Sequence, residues 1–296
     1  MAQVLPGRGS ARKGARSPTT EVAAVTLPLM VGIDGSEASL EAVDWAAAES
    51  LRHGVPLHLV HAAVPEHAAS GLVAVASARA RRSAPAARLS DEVVHEEAAA
   101  ALVAKGRNAF ALVLGSRGLG DLAGLLLGSV SLAVAAHADC PVIVVRGGAE
   151  HRQGRFGSVV VGVEEGEGSD TALLFAFREA QVRRCRLVAV HAWSVPVGNP
   201  GPPGLSGYAL QAGRRPPAQV LADKLAGPAE RYRDVAVSSE VVEGSARRAL
   251  LHEASRADVI VVGARRRHGH VGLQLGLVNH TVLHHAPCPV VVVPAL

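Results

Sequence analysis

The sequence predicts an α/β protein built twice over, each copy alternating parallel strands with helices that cover both faces of the sheet. Three observations predict it. Short runs of Val, Ile and Leu are apolar without alternation, as a strand buried on both faces requires. Stretches of helical periodicity lie between them, the order that a parallel sheet with crossover helices produces. The chain also repeats itself. Val31-Gly32-Ile33-Asp34 returns 130 residues on as Val161-Gly162-Val163-Glu164, and Val60-His61-Ala62 as Val190-His191-Ala192. Later blocks return at 148: Glu92-Val93-Val94 as Glu240-Val241-Val242, Val113-Leu114-Gly115 as Val261-Val262-Gly263, and Cys140-Pro141-Val142 as Cys288-Pro289-Val290. The offset grows from 130 to 148, so the second half carries 18 additional residues between these blocks.

In the first half, LPLMVGID reads as the first strand. EASLEAVDWAAAESLRHG follows as a helix, with Leu40, Val43, Ala47 and Leu51 at helical spacing and Gly54 as its stop. VPLHLVHA is the second strand, GLVAVASARARRSAP a short helix ended by Pro85, and RLSDEVVHE the third strand. EAAAALVAKG, FALVLGS, SVSLAVAAHA and PVIVVR complete the unit as helix, strand, helix and strand. The second half repeats this order through FGSVVVGV, TALLFAFREAQVR, RLVAVHAW, QVLADKLAGPAERY, VAVSSEVVE, SARRALLHEASR, DVIVVGA, VNHTVLHHA and PVVVVPAL. Its surplus falls largely in SVPVGNPGPPGLSGYALQAGRRPPAQ, whose Pro and Gly content suits a surface excursion or lid. The expected organisation is a disordered basic tail over 1–26, a first domain over 27–147, a linker over 148–155 and a second domain over 156–296.

Composition narrows the function. Of 296 residues, 49% are hydrophobic and only 3% aromatic, so the core is aliphatic and stacking platforms for single-stranded nucleic acid are not expected. The net charge is +4, but Arg8, Arg12, Lys13 and Arg16 against Glu21 place +3 of it in the first 26 residues. The basicity is that of a tail, and no nucleic-acid partner is expected. Cys140, Cys185 and Cys288 form no C-x-x-C, which fits a reducing cytoplasm. No apolar run approaches the roughly 20 residues of a membrane helix, so no membrane partner is expected. The basic start before VAAVTLPLMVGI mimics a signal peptide, but Glu21 and Pro28 interrupt it and its end is needed as a strand.

The chemistry concentrates in Val113-Leu114-Gly115-Ser116-Arg117-Gly118, nine residues, then Gly128-Ser129-Val130-Ser131. This reads as a strand end, a glycine loop and a helix start. Gly115 and Gly118 let the backbone turn and expose its amides. Ser129 reads as the helix N-cap, and amides at a helix start form a nest for a polyphosphate.

The spacing G-x(2)-G-x(9)-G-[ST], followed by a helix and Cys140-Pro141-Val142-Ile143-Val144-Val145, resembles the signature of the ATP-binding branch of the universal stress proteins. The resemblance spans about Leu27 to Leu296 as a tandem pair. It implies two Rossmann-like, doubly wound domains with five-stranded parallel sheets of order 3-2-1-4-5, the ligand sitting at the strand C-termini. It also implies pairing through the fifth strands, PVIVVR and PVVVVPAL, between domains of one chain or between subunits.

Carried onto this sequence, the resemblance implies a nucleotide site of Gly32, Ile33, Asp34, Val60, Gly115, Ser116, Arg117, Gly118, Gly128, Ser129 and Val130, with ATP, and with it Mg2+, as cofactor. Asp34 would reach the base and ribose, or else merely cap the turn through Gly35-Ser36. Arg117 suits phosphate contact, or is a solvated arginine. A second site would use Gly162, Gly263, Arg265 and Gly276, but here Arg266 replaces the middle glycine, Leu277 the serine and Glu164 the aspartate. Either that site is degenerate, or Arg265, Arg266 and Arg267 have taken over phosphate binding.

Other patterns carry less. Gly118-Leu119-Gly120-Asp121-Leu122-Ala123 fits a dinucleotide fingerprint but follows the fourth strand and not the first. His280, His284 and His285 near Cys288 suggest a metal cluster, yet Leu132, Ala136 and His137 occupy the matching places in the first half, so no metal is expected. The cysteines are weak redox-sensor candidates. No G-x-S-x-G, Walker A lysine or H-E-x-x-H is present, so at most slow ATP hydrolysis is expected. The expectation is thus a cytoplasmic, nucleotide-responsive stress or dormancy factor. The alternative is a nucleotide-independent interaction module.

Overall fold

The computed structural model describes residues 26–62, 69–118, 127–194, 215–266 and 273–295. The basic tail up to residue 25 and most of the Pro/Gly excursion (195–214) lie outside the described residues. So do residues 119–126 of the glycine loop and 267–272 of its counterpart.

The first half runs β1 (Leu29–Gly32), α1 (Glu37–His53), β2 (Leu57–Ala62), α2 (Ala69–Ser83), β3 (Leu89–Val94), α3 (Ala98–Gly106), β4 (Ala111–Gly115), α4 (Ser129–His137) and β5 (Val142–Val145). A one-turn helix in the linker, α5 (Ala149–Arg152), leads to β6 (Ser158–Gly162), α6 (Asp170–Arg183) and β7 (Arg186–Trp193). Then follow α7 (Pro217–Arg231), β8 (Val237–Glu243), α8 (Ala246–Ala254), β9 (Val259–Arg266), β10 (Leu273–Gln274), α9 (Leu277–His285) and β11 (Val290–Pro294). Pro217 opens α7 at a position that needs no N–H, so the helix begins two residues before the sequence suggests.

Each half is a parallel sheet, ordered β3-β2-β1-β4-β5 and β8-β7-β6-β9-β11. The two fuse because β5 and β11 pair antiparallel, with Val144 opposite Val290 and Val142 opposite Val292. The fifth strands therefore join within the chain, and one sheet runs from β3 to β8. Alternation of side chains along every strand splits the core into two layers that cross both halves. Val31, Leu59, Val113, Val161, Val261 and Val291 belong to one layer, Met30, Leu112, Val144, Ile260 and Val292 to the other.

Helix α1 departs from its expected stripe. Val43 and Ala47 are buried, but Leu51 is 45% exposed. A second stripe at i, i+4, i+8 is buried instead: Trp45, Glu49 and His53 meet α6 across the seam between the halves. Arg183 Nη2 donates to Glu49 Oε1 at 2.7 Å and Arg183 Nε to Glu179 Oε2 at 3.2 Å. His53 Nε2 lies 2.9 Å from Glu179 Oε1. All four side chains are 5% exposed or less. The cluster obeys the repeat, since Glu179 stands 130 residues after Glu49 and Arg183 130 after His53. Burial holds the Glu49 carboxyl above its ordinary range even beside Arg183. Glu179 is also pushed up by burial, but its bond from His53 and the charge of Arg183 bring it below that range.

The seam continues past β5. Arg146 donates Nη2 to the His284 carbonyl at 2.8 Å and Nη1 to that of Leu283, closing the end of α9. Gly147 follows with φ of +83°, where a Cβ would land on the Pro287 carbonyl oxygen.

Gly147→Ala combines left-handed strain with a backbone clash, so it should lower stability by about 2 kcal/mol or more in urea unfolding. Arg183→Met leaves two carboxylates buried without their shared cation. It should cost about 3–5 kcal/mol, the usual penalty for breaking a buried ion pair from one side.

Candidate functional site

At the C-terminal end of the first sheet the chain opens a cleft of about 420 Å3, within the roughly 300–1,000 Å3 of small-molecule sites. It collects residues from four separate stretches. Gly32, Ile33 and Asp34 end β1 and Val60 lies in β2, while Gly115, Arg117 and Gly118 leave β4; Gly128, Ser129 and Val130 open α4. Among the expected residues only Ser116 does not line the cleft. Its carbonyl accepts from the Gly128 N–H at 2.8 Å and ties the two ends of the loop together. The dinucleotide-like run beyond Gly118 lies outside the described residues.

The glycines are required by close approach. A Cβ on Gly115 would stand 2.7 Å from the Ala38 backbone, and one on Gly118 would stand 2.5 Å from Asp34 Oδ2. Asp34 does cap its turn, since Oδ1 accepts from the Ser36 N–H at 2.9 Å and from Ser36 Oγ at 2.6 Å. It also lines the cleft, so the two readings of this residue coexist. Helix α4 differs from its expected start. Gly128 is the N-cap, without a side-chain cap bond, and Ser129 is the exposed first helical residue. The amide N–H groups of that first turn therefore have no capping side chain, the arrangement that favours an anion.

Three further residue pairs, marked by the repeat and not by any motif, support the clefts. Ser39 Oγ lies 3.5 Å from the Asp34 N–H, and Ser169 Oγ takes the Glu164 N–H at 3.1 Å. His61 Nδ1 pairs with the Ile33 carbonyl at 2.8 Å, and His191 with that of Val163 at 2.9 Å. Ser131 donates to the Gly115 carbonyl at 2.7 Å, and Asn279 to that of Gly263 at 3.0 Å. Each pair recurs at the offset of its half, and each pins a strand end at a cleft rim.

The second cleft, about 570 Å3, brings together Gly162, Gly263, Arg265 and Gly276 as expected, with Trp193, Leu250 and Leu277 beside them. Its loop is built differently. With Arg266 in place of a glycine, β9 stays extended through Arg266 and pairs with β10. Arg265 is held by Glu164, with Nε to Oε1 at 3.1 Å and Nη2 to Oε2 at 2.7 Å. Leu277, at the place of Ser129, is 72% exposed.

In this fold burial works against the lowered thiol pKa that a redox sensor uses. Burial pushes the thiols of Cys140 and Cys288 up to about 12 and that of Cys185 up to about 11. At α9 the His280 and His284 rings stack at 6.4 Å, with His285 exposed next to them. No helix among the described residues is long and apolar enough to cross a membrane.

A duplicated, doubly wound α/β scaffold with a glycine-lined cleft at its strand ends defines the class. The Universal stress protein family matches over residues 27–146 and 155–294, and the chain belongs to that family. It is 35% identical over 292 residues to a universal stress protein of Mycobacterium tuberculosis, covering 90% of this chain and 96% of the relative. It is 32% identical over 286 residues to one of Mycolicibacterium smegmatis, covering 90% and 96%. A crystal structure of a universal stress protein from Archaeoglobus fulgidus shares the fold at a TM-score of 0.62, with 18% identity and coverage of 91% and 98%.

With so little thiolate at pH 8, the native protein should leave all three cysteines unlabelled by a disulfide reagent over minutes. The same reagent in denaturant should count three.

Proposed function

We propose that the first cleft binds an adenine nucleotide, ATP by preference, and that the protein acts as a nucleotide-responsive stress or dormancy factor. One observation carries the reading: Gly115, Arg117, Gly118, Gly128 and Ser129 meet Asp34 and Val60 in one cleft, although they lie far apart in sequence. The uncapped first turn of α4 and the loop amides would hold the phosphates, with Arg117 adding charge. Asp34 would accept from ribose hydroxyls, and Val60 and Ile33 would flank the base. A Mg2+ ion bound with the phosphates would neutralise their charge. The glycines fit such a ligand, because any side chain at 115 or 118 would collide with the Ala38 backbone or the Asp34 carboxylate.

The second domain, in this reading, binds nucleotide weakly or not at all. Glu164 already occupies Arg265, and Leu277 offers no hydroxyl where Ser129 stands. Binding in the first cleft would favour the ordered form of the loop and so shift the protein toward it.

Equilibrium dialysis with ATP should give one site per chain. Gly118→Arg should weaken it at least tenfold, while the far-UV spectrum stays that of the parent. Undiminished binding in that variant would move the site elsewhere, and no binding by the parent would favour the nucleotide-independent interaction module.

A further inference from the structure

The seam cluster contains a donor set that the sequence did not reveal. One donor atom from each of Glu49, His53 and Glu179 lies within 4.8 Å of the others. Glu49 Oε2 and His53 Nδ1 are buried and have no hydrogen-bond partner. The carboxylates divide their oxygens. Arg183 takes Oε1 of Glu49 and Oε2 of Glu179, so the remaining pair, Oε2 and Oε1, meets His53 Nε2 at 3.8 and 2.9 Å. Tetrahedral coordination at about 2.0–2.2 Å places donors roughly 3.3–3.6 Å apart, between these two spacings.

We propose that Glu49, His53 and Glu179 form a buried site for a first-row divalent cation of zinc type, which staples α1 of the first domain to α6 of the second. Mixed imidazole and carboxylate donors suit that class of ion. Arg183 holds the far oxygen of each carboxylate and so orients both toward the ion, a positioning role that metal sites commonly rely on. The ion replaces the His53–Glu179 contact and supplies Glu49 Oε2 with the partner it lacks. Coordination through Nε2 needs the lone pair of that nitrogen, so any proton on it is released or moves to Nδ1.

The test is titration of chelator-treated, tag-free full-length protein with Zn2+ and with Co2+. It is done in a His280→Ala/His284→Ala background, so that the neighbouring imidazoles of α9 cannot contribute to the signal. The expected result is one ion per chain, a higher melting temperature with Zn2+, and the visible absorption of a low-coordinate cobalt centre. His53→Gln should lower the affinity at least tenfold and abolish the thermal shift. If that variant does not fold, His53→Arg serves instead, since position 183 shows that the seam accepts an arginine at the symmetry-related place. It removes the nitrogen donor and leaves the carboxylates compensated. Absence of binding in the α9 background, or binding unchanged by loss of His53, would overturn the proposal.

Discussion

The structure depends on the antiparallel ladder between β5 and β11. Two parallel five-stranded sheets would each leave their fifth strand as an open edge of unpaired N–H and C=O groups. Pairing Val142–Val144 with Val290–Val292 removes both edges at once and extends each core layer across the join. It also fixes an approximate twofold relation between the halves. Corresponding helices, α1 and α6, must then face one another, and everything else at the seam follows from that.

Facing helices related in this way bring corresponding residues together. Glu49 meets the partners of Glu179, and His53 stands opposite Arg183. Two neighbouring buried carboxylates would be intolerable alone; Arg183 pairs with both, and Arg52 also reaches Glu49. Beyond the seam, Gly147 and Arg146 dock the end of the first half onto α9. Around this seam α4, which opens the first cleft, lies against β10 of the second. The two clefts are thus built on one continuous sheet.

Duplication did not yield two equal clefts. The supports are shared: a serine under the first strand end, a histidine beside it and a polar side chain on the fourth strand carbonyl recur in both. What differs is the charge and shape of the loop. In the first cleft glycine brings the loop against Asp34, and the helix start is open to an anion. In the second, a longer acid reaches the arginine of the loop, and the chain stays extended in a strand where the glycine is missing.

Only the resemblance to the family set Asp34 and Val60 beside the glycine loop; the sequence by itself determined the repeat, the order of strands and helices and that loop. Each of those depends on local pattern: unbroken apolar runs, helical spacing and glycines where the backbone must turn. Tertiary structure alone decided what depends on neighbours distant in the chain. Leu51 lies in the open while Glu49 and His53 are buried, because a second helix and not solvent covers that face of α1. The α4 cap falls on Gly128 because the loop carbonyl of Ser116 takes its N–H. Arg265 is committed to Glu164, a residue 101 positions away. The cysteine thiols are pushed up in pKa by what packs over them, and periodicity in the chain does not encode that.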